Sequence, residues 1–163
     1  MRYSQLRNQD VSNGDGIGVA LFVQGCSHCC YGCFNKETWD FNGGKEWTPE
    51  LEEKLLQLCS KHYISRLSIL GGEPLHPKNI DTVIEIARKF KELYPEKKLY
   101  IWTGYLYEDI CNKEILKYAD VIVDGKYIDE LRDLRLIMKG SSNQRVIDVQ
   151  ETERTDKIVL FKE

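Results

Sequence analysis

The sequence predicts an α/β fold, an incomplete, laterally open (β/α) barrel with a mostly parallel sheet, and three features point to it. Short apolar strand-like runs alternate with helix-period segments, so the strands cannot be joined as hairpins and should pair in parallel through right-handed crossovers. At 163 residues the chain is well short of the roughly 250 that a closed eight-fold barrel takes. Every unusual loop follows a predicted strand, at the end where parallel sheets carry their functional groups.

The elements run as follows. A polar opening ends at the turn-rich tetrad Asn13-Gly14-Asp15-Gly16. Val19 to Val23 reads as a buried strand that runs into Gly25 and a cysteine loop. Thr48 is an N-cap with Pro49 at the first helical position, and Leu51, Leu55, Leu58 and Cys59 share one face, which predicts a helix over 49–62. Leu67 to Leu70 is a short strand cut off by Gly71-Gly72. Asn79 caps a helix whose Val83, Ile84, Ala87, Phe90 and Leu93 lie together, and Leu99 to Trp102 restarts the strand pattern. Residues 107–118 are helix-like, Val121-Ile122-Val123 strand-like and 129–137 helical, before a turn at Gly140-Ser141-Ser142. Ile158 to Phe161 adds an edge strand. No repeat or low-complexity segment interrupts the pattern. One domain over residues 1–163 is expected, because a hydrophobic share of 42% supplies a real core.

The net charge of −3, with both signs interspersed, provides no field for gripping a polyanion, so nucleic acid is not an expected partner. The longest apolar stretch, Val19 to Val23, falls far below the roughly 20 residues of a membrane span, and the N-terminus lacks a signal-peptide pattern. A cytoplasmic location, away from membranes, is expected. Six cysteines in such a chain argue for metal binding or catalysis rather than a disulfide framework.

Within Gly25 to Asn35, Cys26, Cys30 and Cys33 stand at i, i+4 and i+7 and can turn three thiolates toward one centre. Three thiolates suit a soft site such as an iron-sulfur cluster. A zinc site would use Cys26/Cys29 and Cys30/Cys33 as two pairs, yet structural zinc sites separate their pairs by a loop and these abut. Cys29 is left out of the ligand set, and His28 suits a surface or partner-contacting role better than ligation. Cys59 and Cys111, each in a helical pattern, fit buried small hydrophobes. On a four-iron cluster, three thiolates leave one iron open to an outside ligand.

Other candidates sit at the strand ends. Gly71-Gly72 either makes a tight turn or lets the backbone approach a ligand, with Glu73 as an acceptor for an ammonium group. Thr103 and Asp124 follow later strands and should converge on the same rim, unless they serve as a cap and a turn residue. Asn143 and Gln144 offer hydrogen bonds from the final loop.

The Cys-x3-Cys-x2-Cys loop after the first strand and Gly71-Gly72-Glu73-Pro74 after the second resemble the radical S-adenosylmethionine superfamily. The strings Lys36 to Trp39, Gly72 to Pro77, Trp102 to Tyr105, Val123 to Lys126 and Lys139 to Gln144 are similar to its glycyl-radical enzyme activating group. The similarity runs from about Asn13 to Gln144, and the role of the tail, 145–163, is open. The resemblance implies a 4Fe-4S cluster on Cys26, Cys30 and Cys33, with S-adenosyl-L-methionine on its open iron. It implies cofactor contacts from Gly71, Gly72, Glu73, Thr103, Asp124 and Asn143. Gly32 stands where many members place an aromatic against adenine, so Tyr31 or Phe34 takes that work. Gly14-Asp15-Gly16-Ile17-Gly18 lacks the arginine that many activators carry there. The implied activity is that of an oxidoreductase that makes a glycyl radical on the large subunit of an anaerobic ribonucleoside-triphosphate reductase. A reduced flavodoxin- or ferredoxin-type protein is the implied electron donor. The competing readings are another small radical S-adenosylmethionine enzyme, acting on formate lyase or a small molecule, and a non-enzymatic metal-binding or electron-transfer protein.

Overall fold

A computed structural model describes residues 1–162. Its seven strands are β1 (Arg2–Asp10), β2 (Gly18–Gln24), β3 (Lys45–Glu46), β4 (Arg66–Gly71), β5 (Lys98–Trp102), β6 (Val121–Asp124) and β7 (Arg145–Asp148), in the order β3-β1-β2-β4-β5-β6-β7. The central four, β2, β4, β5 and β6, are parallel, and the outer strands run antiparallel to their neighbours. The sheet is open, with β3 and β7 at its edges. Three α-helices accompany it among the described residues: α1 (Pro49–Leu58), α2 (Ile80–Leu93) and α3 (Val149–Thr155).

All seven residues of β2 are buried, as expected of a central parallel strand covered on both faces. One face carries Val19, Leu21, Val23, Leu67, Ile69, Leu99, Ile101 and Ile122, which pack with Leu55 of α1 and Val83, Ala87 and Phe90 of α2. The other face carries a smaller cluster of Ala20, Phe22, Leu70 and Trp102. Thr48 Oγ1 accepts the Leu51 N–H at 3.3 Å and Pro49 opens α1, as their order requires. The register pairs Gly18 to Val23 with Arg66 to Gly71, and Arg66 to Ile69 with Lys98 to Ile101. The loops after β2, β4, β5 and β6 therefore emerge together at one end of the sheet.

Several expectations need correction. β1 sits in the polar opening, where register shifts after Tyr3 and Arg7 disrupt the two-residue alternation that marks a strand. The first helix ends at Leu58, not near His62, with Cys59 as its C-cap. Asn79 makes no side-chain cap; its amide donates to the Gln24 and Glu73 carbonyls instead. Leu93, expected on the buried face of α2, is 57% exposed. Residues 107–118 form two short 3-10 turns, Tyr107–Asp109 and Lys113–Lys117, separated by Ile110 in an extended conformation. Cys111 lies in that break and is exposed, unlike the buried Cys59. Of the helix expected over 129–137, only a 3-10 turn at Asp129–Leu131 forms, because Leu131, Leu134 and Ile137 find no face to cover and stay exposed. The expected edge strand is reduced to a bridge from Leu160 to Ile147. No helix among the described residues is long and apolar enough to cross a membrane.

Candidate functional site

The cysteine loop leaves β2 through Gly25, whose φ of +102° lies in the region that favours glycine. The Gly25 N–H donates to Thr38 O at 2.6 Å and the Cys26 N–H to Trp39 O at 3.1 Å, so the chain folds back on the short turn Lys36–Thr38. Within the loop, Cys29 (φ +52°) and Gly32 (φ +76°) reverse the backbone, and the Cys33 N–H donates to Cys30 O at 3.2 Å. Cys26, Cys30 and Cys33 are half-buried free thiols lining one cavity of about 490 Å³. Cys29 is exposed and outside the cavity lining.

Burial pushes the Cys26 thiol up to about 11, helped by the charges of Glu73, Cys30 and Cys33 and opposed by the His28 N–H. Cys30 is raised as well, first by burial. The Cys26 and Cys30 thiols, which resist ionisation, would be stabilised as thiolates by a soft cationic body. Three cysteines on the wall of one cavity suit a cluster, in which each of three irons takes its own thiolate. The residues present therefore fit a three-thiolate iron-sulfur group.

The loop after β4 stacks on the cysteine loop. Gly72 N–H donates to Val23 O at 2.8 Å and Glu73 N–H to Gly25 O at 2.8 Å. A Cβ at Gly72 would lie 2.6 Å from the Gly25 carbonyl oxygen, so the two backbones approach as closely as they do only because that residue is glycine. Gly71, Gly72 and Glu73 all line the cavity. The Glu73 side chain is 1% exposed and its carboxylate is engaged on both oxygens. Oε1 meets His28 Nε2 at 2.7 Å and the Gly104 N–H at 2.6 Å; Oε2 accepts the Leu75 N–H at 2.9 Å and the Thr103 hydroxyl at 2.8 Å. Glu73 thus faces protein donors rather than standing free for an ammonium group.

The remaining expected residues divide. Thr103 is buried on the cavity wall, with its hydroxyl on Glu73. Phe34 lines the cavity, its ring 5.0 Å from that of Tyr127, whereas Tyr31 is 81% exposed and outside the lining. Asp124 does not line the cavity: it receives Arg145 Nε at 3.1 Å and Nη2 at 2.5 Å, and the Tyr107 N–H at 2.8 Å. Asn143 is also outside that lining, donating to Lys126 O at 2.8 Å and accepting from Ser141 Oγ at 2.6 Å. Gln144 reaches the cavity and ties Gly140 to Gly125 through its side-chain amide.

Sequence reasoning missed two kinds of residue. His28, expected at the surface, has a side chain only 8% exposed, bonded to Glu73 and edge-on to Tyr105 at 4.7 Å. Arg7, Asn13, Phe22, Leu70 and Trp102 extend the cavity along the second face of the sheet. The alternation of Phe22, Leu70 and Trp102 with core residues carried that signal, because both faces of a covered strand are apolar and one must face something.

The family model described as a 4Fe-4S single cluster domain matches residues 12–147. Among curated proteins, the anaerobic ribonucleoside-triphosphate reductase-activating protein of Enterobacteria phage T4 is 42% identical over 146 residues, covering 90% of this chain and 93% of that protein. Its namesake in Salmonella typhi is 39% identical over 150 residues, covering 90% and 97%. That in Escherichia coli (strain K12) is 37% identical over 150 residues, again covering 90% and 97%.

Proposed function

This chain belongs to the 4Fe-4S single cluster domain family, among its anaerobic ribonucleoside-triphosphate reductase-activating proteins, and on that premise we propose a mechanism for it as a glycyl-radical activating enzyme. The observation that carries the proposal is the meeting of three free cysteines and a glycine-lined backbone on one cavity. When bound, a 4Fe-4S cluster would supply the electron that cleaves S-adenosyl-L-methionine into methionine and a 5'-deoxyadenosyl radical, which would become 5'-deoxyadenosine on taking a hydrogen atom from a glycine of the reductase.

The chain's own residues bind, orient and enclose. Cys26, Cys30 and Cys33 would hold the cluster and leave one iron for the cofactor. Gly71 and Gly72 present main-chain atoms to the methionine end, and their lack of side chains lets this loop pack against the backbone of Phe22, Val23 and Gly25. Phe34 offers a ring to the adenine, the role for which Tyr31 is too far outside the cavity. Thr103 backs the site through Glu73, while Asp124 supports it from outside by fixing the segment after β5 at Tyr107, and Asn143 by fixing the loop after β6 at Lys126. The face formed by Phe22, Leu70 and Trp102 serves as the inner wall of an incomplete, laterally open barrel, and its open side admits a loop of the large subunit of the reductase. The electron comes from a reduced flavodoxin- or ferredoxin-type donor in the cytoplasm.

The test is to reconstitute iron and sulfide under anaerobic conditions and measure 5'-deoxyadenosine after reduction. Formation by the wild type and loss in Cys30→Ala are expected. A fully loaded wild type that leaves S-adenosyl-L-methionine intact would refute the reading.

A further inference from the structure

The cysteine loop and the glycine loop are joined by one side-chain link that lies within neither motif's expected chemistry. His28 sits between Cys26 and Cys30, and its Nε2 meets Glu73 Oε1 at 2.7 Å, with both side chains buried. A carboxylate has about four good acceptor positions. All four are taken here, by His28, Leu75, Thr103 and Gly104. These donors come from three segments: the cysteine loop, Glu73's own turn and the loop after β5. The imidazole is wedged as well as bonded. A Cβ on Gly104 would lie 2.5 Å from its ring, and the Tyr105 ring stands edge-on to it at 4.7 Å.

We propose that His28 is a positioning residue that acts through Glu73, holding the glycine loop and the cysteine loop at one fixed separation so that S-adenosyl-L-methionine can span them. This rests on the functional reading above and deepens it. Glu73 then serves the cofactor from behind the backbone instead of by contact, since its oxygens are occupied. Without His28, Glu73 keeps its three other donors but loses the one that ties it to the cysteine loop. The cysteines themselves are untouched, so cluster binding and cofactor binding separate.

The experiment compares anaerobically reconstituted wild type, His28→Ala and His28→Gln, without reductase or reductant, so that no turnover occurs. Iron content and visible absorbance report the cluster, and equilibrium dialysis with S-adenosyl-L-methionine reports affinity. A glutamine amide can donate to Glu73 from about the place of Nε2. The expected result is full iron in all three, an affinity about tenfold weaker in His28→Ala, as for a lost hydrogen bond to a charged group, and recovery to within about threefold in His28→Gln. Thr103→Val, which removes a different donor from the same carboxylate, should weaken binding in the same direction. Wild-type affinity in His28→Ala would overturn the proposal. So would a glutamine variant as weak as the alanine one, which would leave only ring packing, or loss of iron in His28→Ala. A wild type that binds no S-adenosyl-L-methionine would instead refute the functional reading, and the proposal with it.

Discussion

Replacing Arg66 by methionine should cost about 3–5 kcal/mol, a large part of the 5–15 typical of a domain. Arg66 opens β4 on the face shared with Ser68, and its side chain is 1% exposed. Its guanidinium donates to Asp15 O at 2.9 Å, Ser68 Oγ at 2.8 Å, Asp10 O at 2.9 Å and Asp10 Oδ2 at 3.1 Å. Methionine fills the stem's volume but takes the buried cation from Asp10, leaving it only the partly exposed Arg7 Nη1 at 3.3 Å. Burial alone would raise the Asp10 carboxyl, but the Asn13 N–H, the Asn13 amide and Arg66 outweigh it and hold the group below 3.8. A folded-state value below the unfolded one stabilises above the unfolded value and is lost as pH falls through the folded one. The penalty of Asp10→Asn should therefore be constant from neutral pH to about 5 and shrink below 3.8. In urea, with a slope of about 2 kcal/mol per molar, the Arg66→Met midpoint should fall by about 2 M. The double variant should lose at least 1 kcal/mol less than the sum of the singles, because both act on one pair. Additive losses, or an Arg66→Met midpoint within about 0.5 M of wild type, would show that the pair does not hold the 10–16 loop.

Alanine at Cys26, Cys30 or Cys33 should abolish iron retention after anaerobic reconstitution, while Cys29→Ala should keep wild-type iron, measured per chain. Trp102→Phe removes the indole N–H bond to Met138 O at 2.7 Å. It should cost about 1 kcal/mol of stability and raise proteolytic cleavage near residue 138, measured by limited digestion. Arg145→Met strips the buried Asp124 of its ion pair. With Arg145 itself partly solvated, the loss should be about 1–2 kcal/mol by chemical denaturation.

The four central strands were legible because each is a short apolar run bounded by glycine or a turn, and parallel pairing followed from the crossovers between them, even where that between β5 and β6 holds 3-10 turns in place of the expected helix. α1 and α2 were legible for the same reason, a cap or a periodic face. What stayed hidden was held by tertiary contacts. β1 is too polar and too irregular in register to announce itself, and β7 is defined by pairing with β6. The helix pattern over 107–118 gives way where Asp124 takes the Tyr107 N–H and Asn112 caps a second short turn. At the site, the spacing of Cys26, Cys30 and Cys33 pointed to a shared centre, and all three line one cavity. His28 was misjudged because its partner, Glu73, is 45 residues away, and no local pattern encodes that distance. Asp124 was expected at the rim because it ends a strand; Arg145, in a tail that resembled nothing, draws it aside.

The most direct test of the central claim is electron paramagnetic resonance of the large subunit of an anaerobic ribonucleoside-triphosphate reductase after incubation with reduced, reconstituted protein and S-adenosyl-L-methionine. The account predicts a glycyl radical signal on the reductase that requires both the cofactor and Cys26, Cys30 and Cys33. A protein that cleaves S-adenosyl-L-methionine yet leaves the reductase without a radical would contradict it.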